Sequence, residues 1–124
     1  MKTLIAGCAL LAASAWGHHS FSAEFDAKKV MTVSGVITKF EWMNPHSYFY
    51  VDAPDTSGKI VNWAIESRNL SIMSRQGWTR NTLKPGEAVT VTFYHHKEDA
   101  KNIGWAQTLT KADGTKYVIM MIPQ

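Results

Sequence analysis

Val30-Met31-Thr32-Val33-Ser34-Gly35-Val36-Ile37-Thr38-Lys39-Phe40-Glu41-Trp42 is the stretch on which the fold turns. Valine, isoleucine, threonine and phenylalanine crowd it, as they do strands. Its apolar register changes at Gly35: Met31 and Val33 lie before it, Val36, Phe40 and Trp42 after it. A phase change at a glycine is what a bulge or sharp bend in a strand produces. The chain is therefore expected to open on one long, bent strand.

Downstream, Asn44-Pro45 breaks this strand, and Tyr48 to Asp52 reads as a second. After the turn residues Ala53 to Gly58, Ile60 to Ile65 forms a third, with Val61, Trp63 and Ile65 on one face. Trp63 is thus expected in the core. Asn69 to Gln76 reads as a short helix: Asn69 can cap it, Leu70 and Met73 share a face, and Gly77 can end it. Beyond the Lys84-Pro85-Gly86-Glu87 turn, Val89, Val91 and Phe93 alternate with Thr90, Thr92 and Tyr94 as a fourth strand. Ile103, Trp105, Gln107 and Leu109 alternate as a fifth. Asp113-Gly114 is a hairpin turn, and Tyr117 to Met121 a last strand.

Three strands, one helix, then two or three strands describe an all-β fold with one short helix: a small OB-like Greek-key barrel. A small β-sandwich is the alternative. The helix between the third and fourth strands is the only helix expected in the mature chain.

The first residues read differently. Met1-Lys2-Thr3 is a short basic start, and Leu4 to Ala15 is apolar apart from Ser14. That is the form of a secretory signal peptide. Residues 1–17 are expected to be removed and 18–124 to form a single domain, periplasmic or secreted. Ala13-Ser14-Ala15 allows a competing cut before Trp16, and Ala15-Trp16-Gly17 the cut before His18. Ile5-Ala6-Gly7-Cys8 has the form of a lipoprotein box, but almost no hydrophobic run precedes Cys8. Cleavage removes the one cysteine, so disulfides, cysteine zinc sites and cysteine nucleophiles are excluded from the mature chain.

The 124 residues carry 13 Lys+Arg against 10 Asp+Glu, a formal net charge of +3. The lysines are scattered, so the basic stripe of a nucleic-acid binder is missing. The apolar start falls short of the ~20 residues that span a bilayer, and no membrane span is expected in the mature chain. There is no Gly-x-Ser-x-Gly elbow and no phosphate-cradling glycine loop.

All five histidines fall at strand ends or in loops: His18, His19, His46, His95 and His96. With His18 first, its α-amine and imidazole can chelate one metal ion. An α-amine has a pKa near ~7.7 and yields its proton to a metal far more readily than a lysine. A third nitrogen from His19 or His46 completes an all-nitrogen set suited to Cu(II). The alternative start Trp16-Gly17-His18 puts a histidine third, another Cu(II)-favouring arrangement. In Glu41-Trp42-Met43-Asn44-Pro45-His46, Trp42, Met43 and His46 combine a thioether, an imidazole and an aromatic face, which suit Cu(I). The metal candidates are therefore His18, His19 and His46, with Trp42, Met43, Glu66 and His95 as secondary candidates. His95 continues the core face of the fourth strand and is expected to be partly buried. His96, on the Thr and Tyr face, is expected in a solvated loop.

His18-His19-Ser20-Phe21-Ser22-Ala23-Glu24-Phe25-Asp26, Gly35-Val36, the Glu41–His46 motif, Trp63, Glu66, Arg75-Gln76-Gly77-Trp78 and Leu83-Lys84-Pro85-Gly86-Glu87 together resemble a family of small exported bacterial proteins classed as a domain of unknown function. The resemblance implies export and a small β-rich fold, favours the cut before His18, and implies no activity or catalytic residues. A looser similarity, in residue types alone, is to periplasmic copper chaperones of OB fold. The expectation is a small exported binding protein, holding copper by an N-terminal histidine chelate, that is not an enzyme. One alternative is a metal-free module binding a peptide, glycan or partner protein through Tyr48, Tyr50, Trp78 and Trp105. Another is a small copper-dependent oxidative enzyme.

Overall fold

The structure is a computed structural model and describes residues 21–120. The elements run α1 (Phe21–Glu24), β1 (Phe25–Glu41), β2 (Tyr48–Pro54), β3 (Ile60–Glu66), α2 (Leu70–Arg75), β4 (Ala88–His96), β5 (Ile103–Lys111) and β6 (Lys116–Val118). One sheet contains all six strands in the order β3-β2-β1-β4-β5-β6, and an extra β3–β5 pairing closes it into a ring. The closing pair is parallel and short: Ala64, Ile65 and Glu66 face Ile103, Gly104 and Trp105. The fold is all-β and OB-like, a closed ring rather than a regular barrel, and not the two facing sheets of a sandwich.

β1 begins earlier than expected and serves two partners. It pairs with β4 as far as Val36 and with β2 from Val36 onward. The bulge falls between Ile37 and Lys39, not at Gly35. Gly35 instead permits a close approach, since a Cβ there would lie 2.0 Å from the Asp52 carbonyl oxygen and 2.8 Å from Ala53 Cβ. β1 and β2 cross where only a hydrogen can stand between them.

The core inside the ring holds Ile37, Phe49, Val51, Trp63, Ile65, Val91, Phe93 and Leu109, with Trp63 2 % exposed as its strand face requires. α2 closes one end. Asn69 caps it by accepting from the Ile72 N–H at 2.9 Å, and Met73 and Trp78 seal the ring beneath it. Gly77 follows at φ 90°, a left-handed stop that suits glycine.

Three expectations change because a second, smaller cluster of Phe25, Tyr94 and Trp105 covers the outer face of β4 and β5. First, α1 is an additional one-turn helix, with Phe21 lying 5.2 Å from Tyr94 and 5.8 Å from Trp105. The Lys97 N–H donates to the Glu24 carbonyl at 2.8 Å and helps tie it down. Second, His96 is buried rather than solvated, with its ring 6.0 Å from Phe25 and its Nδ1 accepting from the Glu98 N–H. Third, β5 does not keep one face. A register shift opposite Thr92 and Phe93 sends Ala106 and Leu109 into the main core and Trp105 into the second cluster.

Candidate functional site

His46 stands in the turn between β1 and β2, just ahead of Tyr48. The antiparallel register of β2 and β3 sets Tyr48 opposite Glu66. That brings the Glu66 carboxylate beneath His46, with Nδ1 2.5 Å from Oε1. The turn is pinned at several points. The Ser47 N–H donates to the Arg68 carbonyl at 3.0 Å, and the Ser67 N–H donates back to the Ser47 carbonyl at 2.8 Å. The Leu70 N–H donates to Asn44 Oδ1 at 2.9 Å, which ties the turn to the start of α2.

Glu66 is 8 % exposed. Burial pushes its carboxyl above the usual carboxylate range, against the pull of His46. Burial, together with the nearby Glu66 carboxylate, pushes the Tyr48 hydroxyl up to about 12. On the other side of His46 lies the Trp105 ring, edge-on at 5.4 Å. His46, Phe21, Pro45, Arg68, Trp105 and Met120 line a cleft of about 320 Å³. The arrangement holds an imidazole at a chosen orientation by a buried carboxylate. Metal-ligating histidines are commonly supported in this way.

Glu66 is therefore brought to His46, as a support for the ring. His95 is not: it lines a different cleft, its Nε2 donates to the Lys101 carbonyl at 2.8 Å, and its ring meets Trp63 at 5.7 Å. Trp42 packs on Phe40 and the main core, and Met43 is 45 % exposed. The aromatic ring beside His46 is Trp105, which the metal-free alternative puts on an exposed partner surface. That surface does not exist as expected, since Trp78 and Trp105 are both buried. His18 and His19 lie outside the described residues. Among the described residues no group of three His, Cys, Asp or Glu side chains is arranged to hold a metal ion, so His46 would need donors from elsewhere.

A family model matches residues 7–106, most of the chain. The chain belongs to DUF6152, a family of unknown function. The DUF6152 match takes in His46, Tyr48, Glu66 and Trp105 and stops before β6. Comparison with curated proteins and with solved structures finds no match. Among the described residues no helix is long and apolar enough to cross a membrane.

Proposed function

We propose that the protein is exported to the periplasm and binds one copper ion with the amine and ring of His18, helped by His19 and His46. The observation that carries this reading is the contact of His46 Nδ1 with Glu66 Oε1 beside a cleft that Phe21 also lines. Phe21 follows His19 by two residues, so covalent geometry keeps the His19 Cα within about 7 Å of the Phe21 Cα. On this proposal the amino-terminal donors use this short tether to reach His46. A carboxylate on Nδ1 sets the tautomer in which Nε2 is the ligating atom. Amine and imidazole nitrogens are a donor set suited to Cu(II). Binding needs those nitrogens unprotonated, so it weakens in acid.

The cleft is at the small end of ligand pockets, which suits holding an ion better than turning over a substrate. The metal-free alternative loses two of its four contact residues with the burial of Trp78 and Trp105. The test is intact-mass spectrometry of protein recovered from the periplasm, before and after one equivalent of Cu(II). The expected spectrum is a chain starting at His18 that carries one copper. A chain that stays copper-free at stoichiometric metal contradicts the proposal.

A further inference from the structure

The ring is closed by a β3–β5 ladder that stops early. Hydrogen-bonded pairs alternate along β2 and β3: the Asp55 N–H donates to the Lys59 carbonyl at 2.8 Å, and the Ser67 N–H to the Ser47 carbonyl at 2.8 Å. With the register of Tyr48 to Pro54 against Glu66 to Ile60, this parity turns the backbone N–H and C=O of Ile60, Asn62, Ala64 and Glu66 away from β2. Ala64 spends its N–H on the Asn102 carbonyl at 2.9 Å, and the parallel pairing with β5 runs on from there. One step earlier the chain diverges. Among the described residues, the outward backbone groups of Ile60 and Asn62 meet no partner.

The gap left by this divergence is a cleft of about 700 Å³, within the usual size of ligand sites. It lies at the mouth of the ring, at the opposite end of β3 from Glu66. Val61, Trp63 and Met31 give it an apolar floor beside His95, and the charged Lys29, Asp55, Lys59 and Asp99 line it too, Lys29 and Asp99 as an ion pair at 2.8 Å. Trp63 adds a buried indole N–H that has no acceptor. Beside the open edge, Ile60 is 62 % exposed although it is a large apolar residue.

We propose that this seam receives an extended segment of a partner polypeptide, which adds as a strand along Ile60–Asn62 and turns an apolar side chain into the mouth over Val61 and Trp63. The occupant follows from the chemistry of the edge. Two outward N–H and two outward C=O groups at strand spacing are matched by another extended backbone, and a pocket at alternate positions reads its side chains. This site is separate from His46 and does not depend on copper.

The test uses the full mature protein and capped heptapeptides in which Thr alternates with Val, Leu, Phe or Trp. Amide hydrogen exchange of Ile60 and Asn62 is the readout. Both amides should exchange freely in the protein alone and slow at least tenfold with a bound peptide. The same peptide N-methylated at alternate backbone positions should not protect them. Asn62→Pro deletes one outward N–H and no β2 bond, and should weaken binding at least tenfold. Asn62→Ala should bind like the native chain, which separates the backbone group from the Asn62 amide that bonds Thr38 and Asp52. If Asn62→Pro does not fold, the N-methyl contrast on the native chain decides alone. The proposal is overturned if no peptide of the panel protects Ile60 and Asn62, if N-methylation makes no difference, or if benzyl alcohol occupies the mouth as tightly as the peptides do.

Discussion

Gly35→Ala puts the β1–β2 crossing to the test. The new Cβ would begin 2.0 Å from the Asp52 carbonyl oxygen, where ordinary van der Waals contact starts at about 3.4 Å. The shortfall is about 1.4 Å, and the obstacle is backbone. Asp52 cannot step aside cheaply, because it is paired with Val36 on one side and with Asn62 on the other. Overpacking of this kind costs ~1–3 kcal/mol, and a backbone obstacle argues for the upper end. A gain of up to ~1 kcal/mol from the stiffer unfolded chain offsets part of it. The net loss should be ~2–3 kcal/mol, read as a lower midpoint in urea at unchanged slope. At ~4–8 °C per kcal/mol for a domain of this size, the melting temperature should drop by ~10–20 °C. A loss under ~0.5 kcal/mol, with β1–β2 amide shifts unchanged, would refute the close crossing.

Two further outcomes are expected. Trp63→Ala should cost ~3–5 kcal/mol in chemical denaturation, the range for truncating a buried aromatic, and a loss under ~1 kcal/mol would mean that β3 is set one residue out of register. The Ser57 hydroxyl and backbone N–H, donating to Asp55, hold its carboxyl below the usual range. The native state therefore releases this proton at lower pH than the unfolded chain, so the contribution to stability is present above the unfolded value and is lost as pH falls through the folded one. Titration by carbon-detected NMR should find Asp55 low in the native chain and higher in Ser57→Ala.

Much of the fold could be read along the chain because its signals are local. The alternation of Val89 to Tyr94, the face shared by Val61, Trp63 and Ile65, and the Asn69 cap each need only neighbouring residues. What escaped was set by contacts distant in sequence. Tyr94 and His96 sit on a face that alternation marks as solvated, and it is Phe25, paired back onto β4, and Phe21 in the helix ahead of it that cover it. Trp105 changes clusters through a register shift that its own residues do not announce. Glu66 was visible as a candidate, but its place beneath His46 depends on the β2–β3 register. The open edge at Ile60 and Asn62 depends on where β5 parts from β3, which no pattern in either strand encodes.

The amino-terminal chelate is tested most directly by moving the amine. One extra residue ahead of His18 leaves every side chain in place and takes the α-amine out of its ring with the His18 imidazole. Cu(II) affinity, measured by competition with a chelator, and the paramagnetic resonance spectrum should both change as much as they do in His46→Ala, while the fold stays the same. His96→Ala should leave both untouched. If the extended protein binds Cu(II) as tightly as the native chain and gives the same spectrum, the account of this site is contradicted.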